Sequence, residues 1–321
     1  MLEQLKKSYE SYLELNPFQG KPQDLYDAMN YMMSLGGKRI RPILTLLATR
    51  ALDTQTDLAL PAAHAMEVFH NFTLAHDDIM DEAPLRRNQP TLHIQTQTAT
   101  AILAGDNMLI KAYERLLEFP SPLNLELVKL LNKTAAEICE GQQYDMNFEK
   151  QETVSIEVYL EMIRLKTAVL LGCCMQTGAI IANASSDIQR AFYHFGELAG
   201  IGFQIMDDYL DTFGTEAQVG KQIGGDILAA KKTALFCLAH KSANPEQQKQ
   251  LTLLFSKETA PQERLTETMA LYHKLQVQDQ ARTLMDGYFD QANRELSRCG
   301  VSQKKLEPIF ELVEFLKHRN M

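Results

Sequence analysis

Two short acidic motifs offer the clearest chemistry in this sequence. The pattern DDxxD occurs at residues 77–81 and again at residues 207–211. On a helix, the first and last aspartates of such a motif project from one face, about one turn apart. They repel each other unless a hard cation binds them, and Mg²⁺ usually adds water and substrate phosphates to one or two protein carboxylates. Two half-sites of this kind are the expected pattern for holding a diphosphate.

Polar residues beside the motifs favour this interpretation over the alternative that the acids are solvated surface groups. One such motif alone would favour the surface interpretation, because short motifs often occur by chance. Gln204 precedes Asp207 by three residues and Asp208 by four, which places it on their helix face. His70 lies two helical turns before Asp77 on the same face. Two copies with such flanks indicate a binding site.

Basic residues cluster close to both motifs. Adjacent arginines suit two neighbouring anions, because the guanidinium fork matches phosphate oxygens. A diglycine before a predicted helix start adds backbone donors. Singly, each cluster fits a solvated basic surface; beside the acidic motifs, together they indicate phosphate binding. The basic residues are Lys38, Arg39, Arg41, Arg86, Arg87, Lys166, Lys221, Lys231 and Lys232.

Composition excludes several classes of protein. The 321 residues include 32 basic and 41 acidic side chains, for a formal net charge of -9. A protein that coats nucleic acid shows the opposite bias, so we expect no nucleic-acid partner. No apolar stretch is long enough to predict stable membrane insertion. The 5 cysteines form no CxxC pair, which predicts neither disulfides nor a zinc site and fits the cytoplasm.

Apolar residues recur at helical spacing along the whole chain, and convincing period-two alternation is absent. The sequence therefore predicts an all-α protein forming a single domain over residues 1–321. The predicted helices cover residues 21–34, 37–52, 57–81, 91–118, 123–147, 154–183, 185–213, 227–242, 245–256, 261–277, 278–298 and 302–318.

The ordered set of motifs resembles the all-trans isoprenyl diphosphate synthases, the polyprenyl synthetase family, along nearly the whole chain. The resemblance implies a large helical bundle of the isoprenoid synthase type with a central cavity. Asn88 and Ala230 stand where the family often has glycine, and Ala230 is expected to be harmless within a helix. The matching segments are GGKRIRP at 36–42, HDDIMD at 76–81 with RR after it, GD at 105–106, GQQYD at 141–145, KT at 166–167, GFQIMDDYLD at 202–211, and GK, GGDI and KKT between 220 and 233.

The resemblance also implies a role for each site residue. Three Mg²⁺ ions would bridge the aspartates to an allylic diphosphate, and a second set of residues would hold isopentenyl diphosphate. The metal ligands would be Asp77, Asp78, Asp81, Asp207, Asp208 and Asp211. The allylic diphosphate would contact Arg86, Lys166, Lys221 and Lys231, with Gln204, the carbonyl of Thr167 and nearby Phe203 facing the developing cation. Isopentenyl diphosphate would contact Lys38, Arg41, His70 and Arg87.

The implied reaction ionises the allylic diphosphate, joins the cation to isopentenyl diphosphate and loses a proton, which the departing diphosphate accepts. His70 is interpreted as a hydrogen-bond donor rather than a base, with a buried core histidine as the alternative. Family members limit product length by bulk below the first DDxxD. Phe72 lies five residues before Asp77, about 7.5 Å deeper along the helix. The pattern FTLAHDDIMD favours a C20 product over C15, whereas Phe72 as an ordinary core residue is the alternative.

Two other functions compete with this interpretation. A class I terpene cyclase shares the fold and the first motif, but it would not need GGKRIRP. A non-catalytic subunit of a synthase heteromer tends to lose a DDxxD or its arginines, and here all are present. The resemblance further implies a homodimer.

Overall fold

The structure is a computed structural model that describes residues 1–214, 223–256 and 258–317. Helices make up most of the described chain, and its strands form a single two-stranded hairpin. The all-α prediction is confirmed. Within the same residues, no helix is long and apolar enough to cross a membrane.

The first half of the chain begins with three helices and continues into two long helices, α4 and α6, that pack against each other. A short 3-10 turn, Thr56–Ala59, leads into α4. The elements are α1 (Leu2–Leu15), α2 (Gln23–Ser34), α3 (Ile40–Ala51), α4 (Leu60–Met80), β1 (Leu85–Arg86), β2 (Gln89–Pro90), α5 (Leu92–Gln95), α6 (Thr98–Leu117) and α7 (Leu123–Phe148).

The second half contains a π-helical segment, Arg164–Ala168, between two α-helices. A single long helix, α10, carries the second acidic motif. The elements are α8 (Ile156–Ile163), α9 (Val169–Ile181), α10 (Ser186–Phe213), α11 (Gly225–Leu228), α12 (Ala234–Ser242), α13 (Pro245–Leu254), α14 (Pro261–Lys274), α15 (Val277–Ser297) and α16 (Gln303–Lys317).

The chain divides into two compact units, each assembled from separate stretches of sequence. Unit 1 comprises Met1–Asn132, Cys173–Phe192 and Val301–Ile309. Unit 2 comprises Lys133–Gly172, Tyr193–Gly300 and Phe310–Met321. A single domain over the whole chain stays a prediction.

Unit 1 is organised around α4, which packs along α6. Small residues such as Ala75 on α4 and Ala104 on α6 are fully buried, so the two backbones approach closely. Gly105 shows how close, because a Cβ there would lie 2.4 Å from Nε2 of His76. This contact fixes the end of α4 that carries the first acidic motif.

Unit 2 buries a large apolar cluster that supports the second motif. Ile205 and Tyr209 project into it from α10, and Phe236 enters from α12. Ile205 and Tyr209 alternate with the motif aspartates along α10. Packing of their apolar face into the cluster therefore orients the acidic face of the same helix.

Three predicted helices are interrupted in the structure. The segment predicted at 91–118 breaks at Thr96, whose hydroxyl bonds back to the Leu92 carbonyl at 2.8 Å and ends the short α5. The helix predicted at 154–183 contains the π segment, and the helix predicted at 227–242 is broken at residues 229–233. Both of the last two breaks coincide with predicted site residues.

The amphipathic α1 is held on unit 1 by aromatic contacts around His64 of α4. The rings of Tyr9, Tyr12 and Phe18 lie 5.6–6.3 Å from the imidazole. Burial lowers the pKa of His64 to about 3, so this histidine is neutral in the folded protein.

His64 predicts a specific loss of stability in acid. Its folded pKa of about 3 lies below the unfolded value of 6.5, so between these values only the unfolded chain takes up the proton. Stability is therefore lost as pH falls through this window, by up to about 1.4 kcal/mol per pH unit. Urea unfolding of His64→Gln should show a shallower decline below pH 6.5 than the wild type. The exposed His194→Gln is the control; equal slopes in all three proteins would contradict the assignment.

Candidate active site

The first acidic motif lies at the end of α4, in unit 1. The amide of Asp81 donates to the carbonyl of Asp77 at 2.8 Å, so the helical turn continues through the C-cap residue Asp81. Asp77 is half-buried and Asp81 is exposed. The predicted spacing of one turn between these two aspartates is therefore present.

Asp78, the middle aspartate, has a different environment. It is only 1% exposed. Arg86 donates from Nε to Oδ1 and Oδ2 at 2.9 and 2.8 Å, and from Nη2 to Oδ1 at 2.7 Å. Both carboxylate oxygens of Asp78 are thus engaged by one guanidinium, which they hold in place.

The hairpin after α4 positions the arginine pair. Leu85 pairs with Pro90 and Arg86 with Gln89. The turn residues Arg87 and Asn88 both have positive φ, 53° and 62°, as two-residue hairpins require. Asparagine adopts this conformation readily, so its replacement of the usual glycine is accommodated.

At the hairpin tip, Arg87 contacts the diglycine loop before α3. Its Nη1 donates to the Gly36 carbonyl. Gly37 has φ 129°, and a Cβ there would lie 2.7 Å from the Arg87 guanidinium nitrogens. Both glycines have positive φ, 78° at Gly36 and 129° at Gly37, which residues with a Cβ rarely adopt and which explains the diglycine. Lys38 follows on the same loop and is exposed.

Arg39 has a structural role. It is buried, and it donates to Oε1 of Glu67 at 2.7 Å and to the Met33 carbonyl at 2.7 Å. Because this pair is buried and hydrogen-bonded, it fixes the start of α3 against α4.

Arg41 donates from Nη1 to Nε2 of His70 at 3.0 Å. A guanidinium only donates, so Nε2 must be the acceptor and the imidazole proton must be on Nδ1. Burial lowers the pKa of His70 well below 6.5, helped by the charges of nearby arginines, first Arg41 and then Arg87. His70 is therefore neutral and keeps one donor, Nδ1–H.

The charges around His70 do not balance. Arg39 and Arg86 have Glu67 and Asp78 as partners. Within residues 1–214, 223–256 and 258–317, no carboxylate lies at ion-pair distance from Arg41 or Arg87. The buried Nε of Arg41 also has no hydrogen-bond partner there. This part of unit 1 has the electrostatics of an anion site.

Phe72 is half-buried on α4. Its ring packs edge-on against His76, with centroids 4.9 Å apart, and lies 5.5 Å from the ring of Phe69. His76 in turn lies against Gly105 of α6. Phe72 is therefore part of an aromatic row on α4.

In unit 2, the middle aspartate of the second motif is again buried. Asp208 is 4% exposed and accepts hydrogen bonds from Tyr159 Oη at 2.5 Å, the Ala234 amide at 3.0 Å and Gln204 Nε2 at 3.3 Å. Burial raises the pKa of Asp208 to about 7. Its partners tie α10 to α8 and to the start of α12.

Asp211 is also buried, and it caps the short helix α11. Its Oδ2 accepts from the Asp226 amide at 2.8 Å, and its carbonyl accepts from Gly224 at 2.6 Å. Asp207 is half-buried one turn before it. The two residues thus differ in environment, which the spacing alone did not indicate.

Lys166 and Thr167 lie on the π segment. Lys166 Nζ donates to Oδ2 of Asp145 at 2.5 Å, which supplies the partner that its apolar surroundings require. Thr167 Oγ1 lies 3.5 Å from Oε1 of Gln204. The half-buried Phe203 adjoins Gln204 on α10. The structure thus brings three predicted residues together in unit 2: Lys166, Thr167 and Gln204.

Lys231 is exposed in the break between α11 and α12. Lys221 lies outside the described residues. Ala230 is not within a helix, contrary to the prediction; its φ is 56°, in the left-handed region that disfavours any residue with a Cβ. The turn requires this conformation because the Lys231 amide donates back to the Asp226 carbonyl at 2.9 Å.

Sequence reasoning missed Arg264 of α14, which supports this turn. Arg264 is buried and donates to four backbone carbonyls, among them that of Leu228 at the end of α11, 2.8 Å away. No short motif marks it, because its partners are main-chain carbonyls, which residues of any type supply.

Within the described residues, no three histidine, cysteine or acidic side chains are grouped closely enough to hold a metal ion alone. The donor set nevertheless suits Mg²⁺, since Asp77 and Asp81 offer oxygen ligands one turn apart and Mg²⁺ keeps water and phosphate oxygens as its other ligands.

Ala230 yields a stability prediction. Ala230→Gly removes the left-handed strain of about 1–2 kcal/mol, partly offset by about 0.4–1 kcal/mol of added freedom in the unfolded chain. We expect the free energy of unfolding to rise by a net amount of about 0.5–1 kcal/mol, roughly half of that strain. Denaturant unfolding measures this against Ala243→Gly, whose φ is -78° and which should be destabilised. Destabilisation of both variants alike would contradict the strain at Ala230.

Comparison with known proteins gives a consistent result. The family model for polyprenyl synthetase matches residues 22–272. The chain is 37% identical over 302 residues to geranylgeranyl pyrophosphate synthase of Geoglobus acetivorans, covering 94% of this chain and 92% of that protein.

Solved structures agree. The crystal structure of geranylgeranyl pyrophosphate synthetase from Pyrococcus horikoshii superposes with a TM-score of 0.91 at 32% identity, covering 99% of this chain and 98% of that one. Polyprenyl synthase from Caulobacter crescentus, solved with calcium and isoprenyl diphosphate, gives 0.87 at 26% identity over 99% and 97%. The chain therefore belongs to the polyprenyl synthetase family of trans-prenyltransferases.

Proposed function

We propose that this protein is a Mg²⁺-dependent short-chain synthase that joins isopentenyl diphosphate to an allylic diphosphate of C5 to C15. The product is an all-trans prenyl diphosphate, with C20 favoured over C15. Its cytoplasmic location stays a prediction from the sequence.

The observation that carries this proposal is the unbalanced charge around His70. Arg41 and Arg87 have no carboxylate at ion-pair distance in the described part of the chain, and the neutral His70 adds one N–H donor. A diphosphate supplies the missing negative charge and several acceptors. We assign isopentenyl diphosphate to these residues together with Lys38.

We assign the allylic diphosphate to Lys166 and Lys231 of unit 2 and, from the sequence alone, to Lys221, which lies outside the described residues. Asp145 accepts a hydrogen bond from Lys166 Nζ at 2.5 Å, which fixes the position of the amine. Gln204 and the Thr167 carbonyl face the developing allylic cation, where fixed dipoles stabilise positive charge without reorganising. Gln204 donates from Nε2 to Asp208, and its Oε1, which accepts from Thr167 Oγ1 at 3.5 Å, keeps a second lone pair for the cation.

For the metal ions we assign Asp77 and Asp81 in unit 1 and Asp207 in unit 2. When bound, Mg²⁺ withdraws charge from the diphosphate leaving group. Asp78 and Asp208 act as supporting residues: Asp78 holds the Arg86 guanidinium, and Asp208 orients Gln204. Asp211 supports the start of α11, because its carboxylate accepts a hydrogen bond from the Asp226 amide.

The reaction follows from these charges. The allylic C–O bond breaks and diphosphate leaves with the electron pair; the alkene of isopentenyl diphosphate then forms the new C–C bond. The departing diphosphate takes the proton that is lost as the new trans double bond forms. His70 is unsuited as the base, because its Nε2 is occupied by Arg41 and its pKa is low.

We also propose a homodimer. On α6, Leu103, Ile110 and Leu117 recur every seven residues, and each is more than half exposed. An exposed apolar row repeated every two turns on one helix face suits a second copy of the same helix. Light scattering should give twice the chain mass; the mass of one chain would contradict the proposal.

Product analysis tests the proposed activity. With Mg²⁺, isopentenyl diphosphate and a C5, C10 or C15 allylic diphosphate, we expect chain elongation ending mainly at C20. Farnesyl diphosphate alone should remain unchanged, whereas release of a hydrocarbon would indicate a terpene cyclase. No turnover with any primer would contradict the proposal and favour a non-catalytic subunit.

Phe72 yields a prediction about product length. Phe72→Ala removes the ring beside His76 and opens space below the first motif, so products should lengthen beyond those of the wild type. Chromatography of the dephosphorylated products measures this. Thr73→Ala, a truncation at the next position, should leave the distribution of product lengths unchanged. The same distribution in Phe72→Ala as in the wild type would contradict the role of Phe72.

A further inference from the structure

The π segment that carries Lys166 and Thr167 is an irregular backbone that its surroundings must maintain. A π turn is rare and occurs mainly as a local bulge within an α-helix. In this chain it shifts Lys166 and Thr167 relative to the straight helix that the sequence predicts over 154–183. Whatever holds the bulge therefore determines where these two residues lie.

Two glycines allow neighbouring helices to pack directly against the backbone of the π segment. A Cβ on Gly141 of α7 would lie 2.3 Å from the Lys166 amide nitrogen, and one on Gly200 of α10 would lie 2.7 Å from Cα of Ala168. Helices α7 and α10 thus contact the backbone of the segment directly. These contacts set how closely the two helices approach the segment, but glycine supplies no side chain to hold its position.

The first residue of the segment, Arg164, binds carboxylates on three helices. Its Nε and Nη2 donate to Glu161 of α8, both at 2.8 Å. Its Nη1 donates to Glu197 of α10 at 3.0 Å and lies 3.9 Å from Glu137 of α7. Helices α7 and α10 are the same two that contact the segment through glycine.

The surrounding charges make this guanidinium hard to replace. Glu137 and Glu197 are largely buried, with side chains 17% and 14% exposed. The other charged groups at this cluster are Lys133, 3.9 Å from Glu137, His194, 3.7 Å from Glu197, and Glu140, whose charge acts on Glu137. Without Arg164, three carboxylates would face one another with Lys133 as the remaining constant cation.

We propose that Arg164 is a positioning residue for the prenyl transfer: by joining α7, α8 and α10 it sets the π segment and so places Lys166 against the allylic diphosphate and Thr167 beside Gln204. This inference rests on the proposed function for the roles of Lys166 and Thr167. It adds a residue that touches neither substrate.

The experiment compares Arg164→Met with Lys133→Met. Both variants remove one cation beside Glu137, but only Arg164 belongs to the π segment. We expect Arg164→Met to lower kcat/KM for the allylic diphosphate by about 10- to 100-fold, as small misplacements of binding groups do. The KM for isopentenyl diphosphate should stay within about twofold, since its proposed contacts lie elsewhere, and Lys133→Met should resemble the wild type.

A double-mutant cycle with Lys166→Gln separates positioning from general stability. If Arg164 acts through Lys166, Arg164→Met should cost much less in the Lys166→Gln background than in the wild type. The same fold-loss in both backgrounds would overturn the proposal, as would wild-type kinetics of Arg164→Met. If Lys166→Gln itself keeps full turnover, the proposed role of Lys166 is at fault instead.

Should Arg164→Met fold poorly, Arg164→Lys carries the same test. It keeps the charge but cannot engage Glu161 and Glu197 together through a fork. We expect a folded protein with normal KM for isopentenyl diphosphate and reduced kcat/KM for the allylic diphosphate. Full activity of the folded Arg164→Lys would overturn the proposal.

Discussion

The structure depends above all on where positive charge is paired and where it is left over. Around His70, buried Glu67 and Asp78 neutralise Arg39 and Arg86, whereas no carboxylate in the described chain reaches ion-pair distance of Arg41 or Arg87. The paired arginines fix the geometry, because breaking such a buried pair typically costs about 3–5 kcal/mol. The unpaired arginines retain their charge for an anion. This arrangement also explains why an acidic protein suits anionic substrates: local placement decides, not net charge.

Each acidic motif also combines residues with different roles. In each, the middle aspartate is buried and accepts hydrogen bonds from residues of other elements, Arg86 for Asp78 and Tyr159 for Asp208. These contacts orient a neighbouring arginine or glutamine. The outer residues Asp77, Asp81 and Asp207 are more exposed, whereas the outer Asp211 of the second motif is buried. A motif that looks uniform in sequence thus contains both ligand candidates and supports.

Much of the fold and of the candidate site can be predicted from the sequence, because helix periodicity and motif order are local properties. The pairing of Asp77 with Asp81 followed from helix geometry alone. The environment of Asp78 did not, since it depends on a hairpin that returns Arg86 to the end of α4. Ala230 was misassigned to a helix because no composition signal marks a left-handed alanine. The sequence does not predict the π segment, because residues that contact it, Gly141, Gly200 and Glu197, are distant in sequence.

A crystal structure with Mg²⁺, isopentenyl diphosphate and an unreactive allylic thiodiphosphate tests this account most directly. We expect isopentenyl diphosphate to contact Arg41, Arg87 and Nδ1 of His70 in that structure. We also expect metal on Asp77 and Asp81, with Asp78 still bound to Arg86. Metal coordinated by Asp78 with Arg86 displaced, or isopentenyl diphosphate bound away from Arg41 and Arg87, would contradict this account.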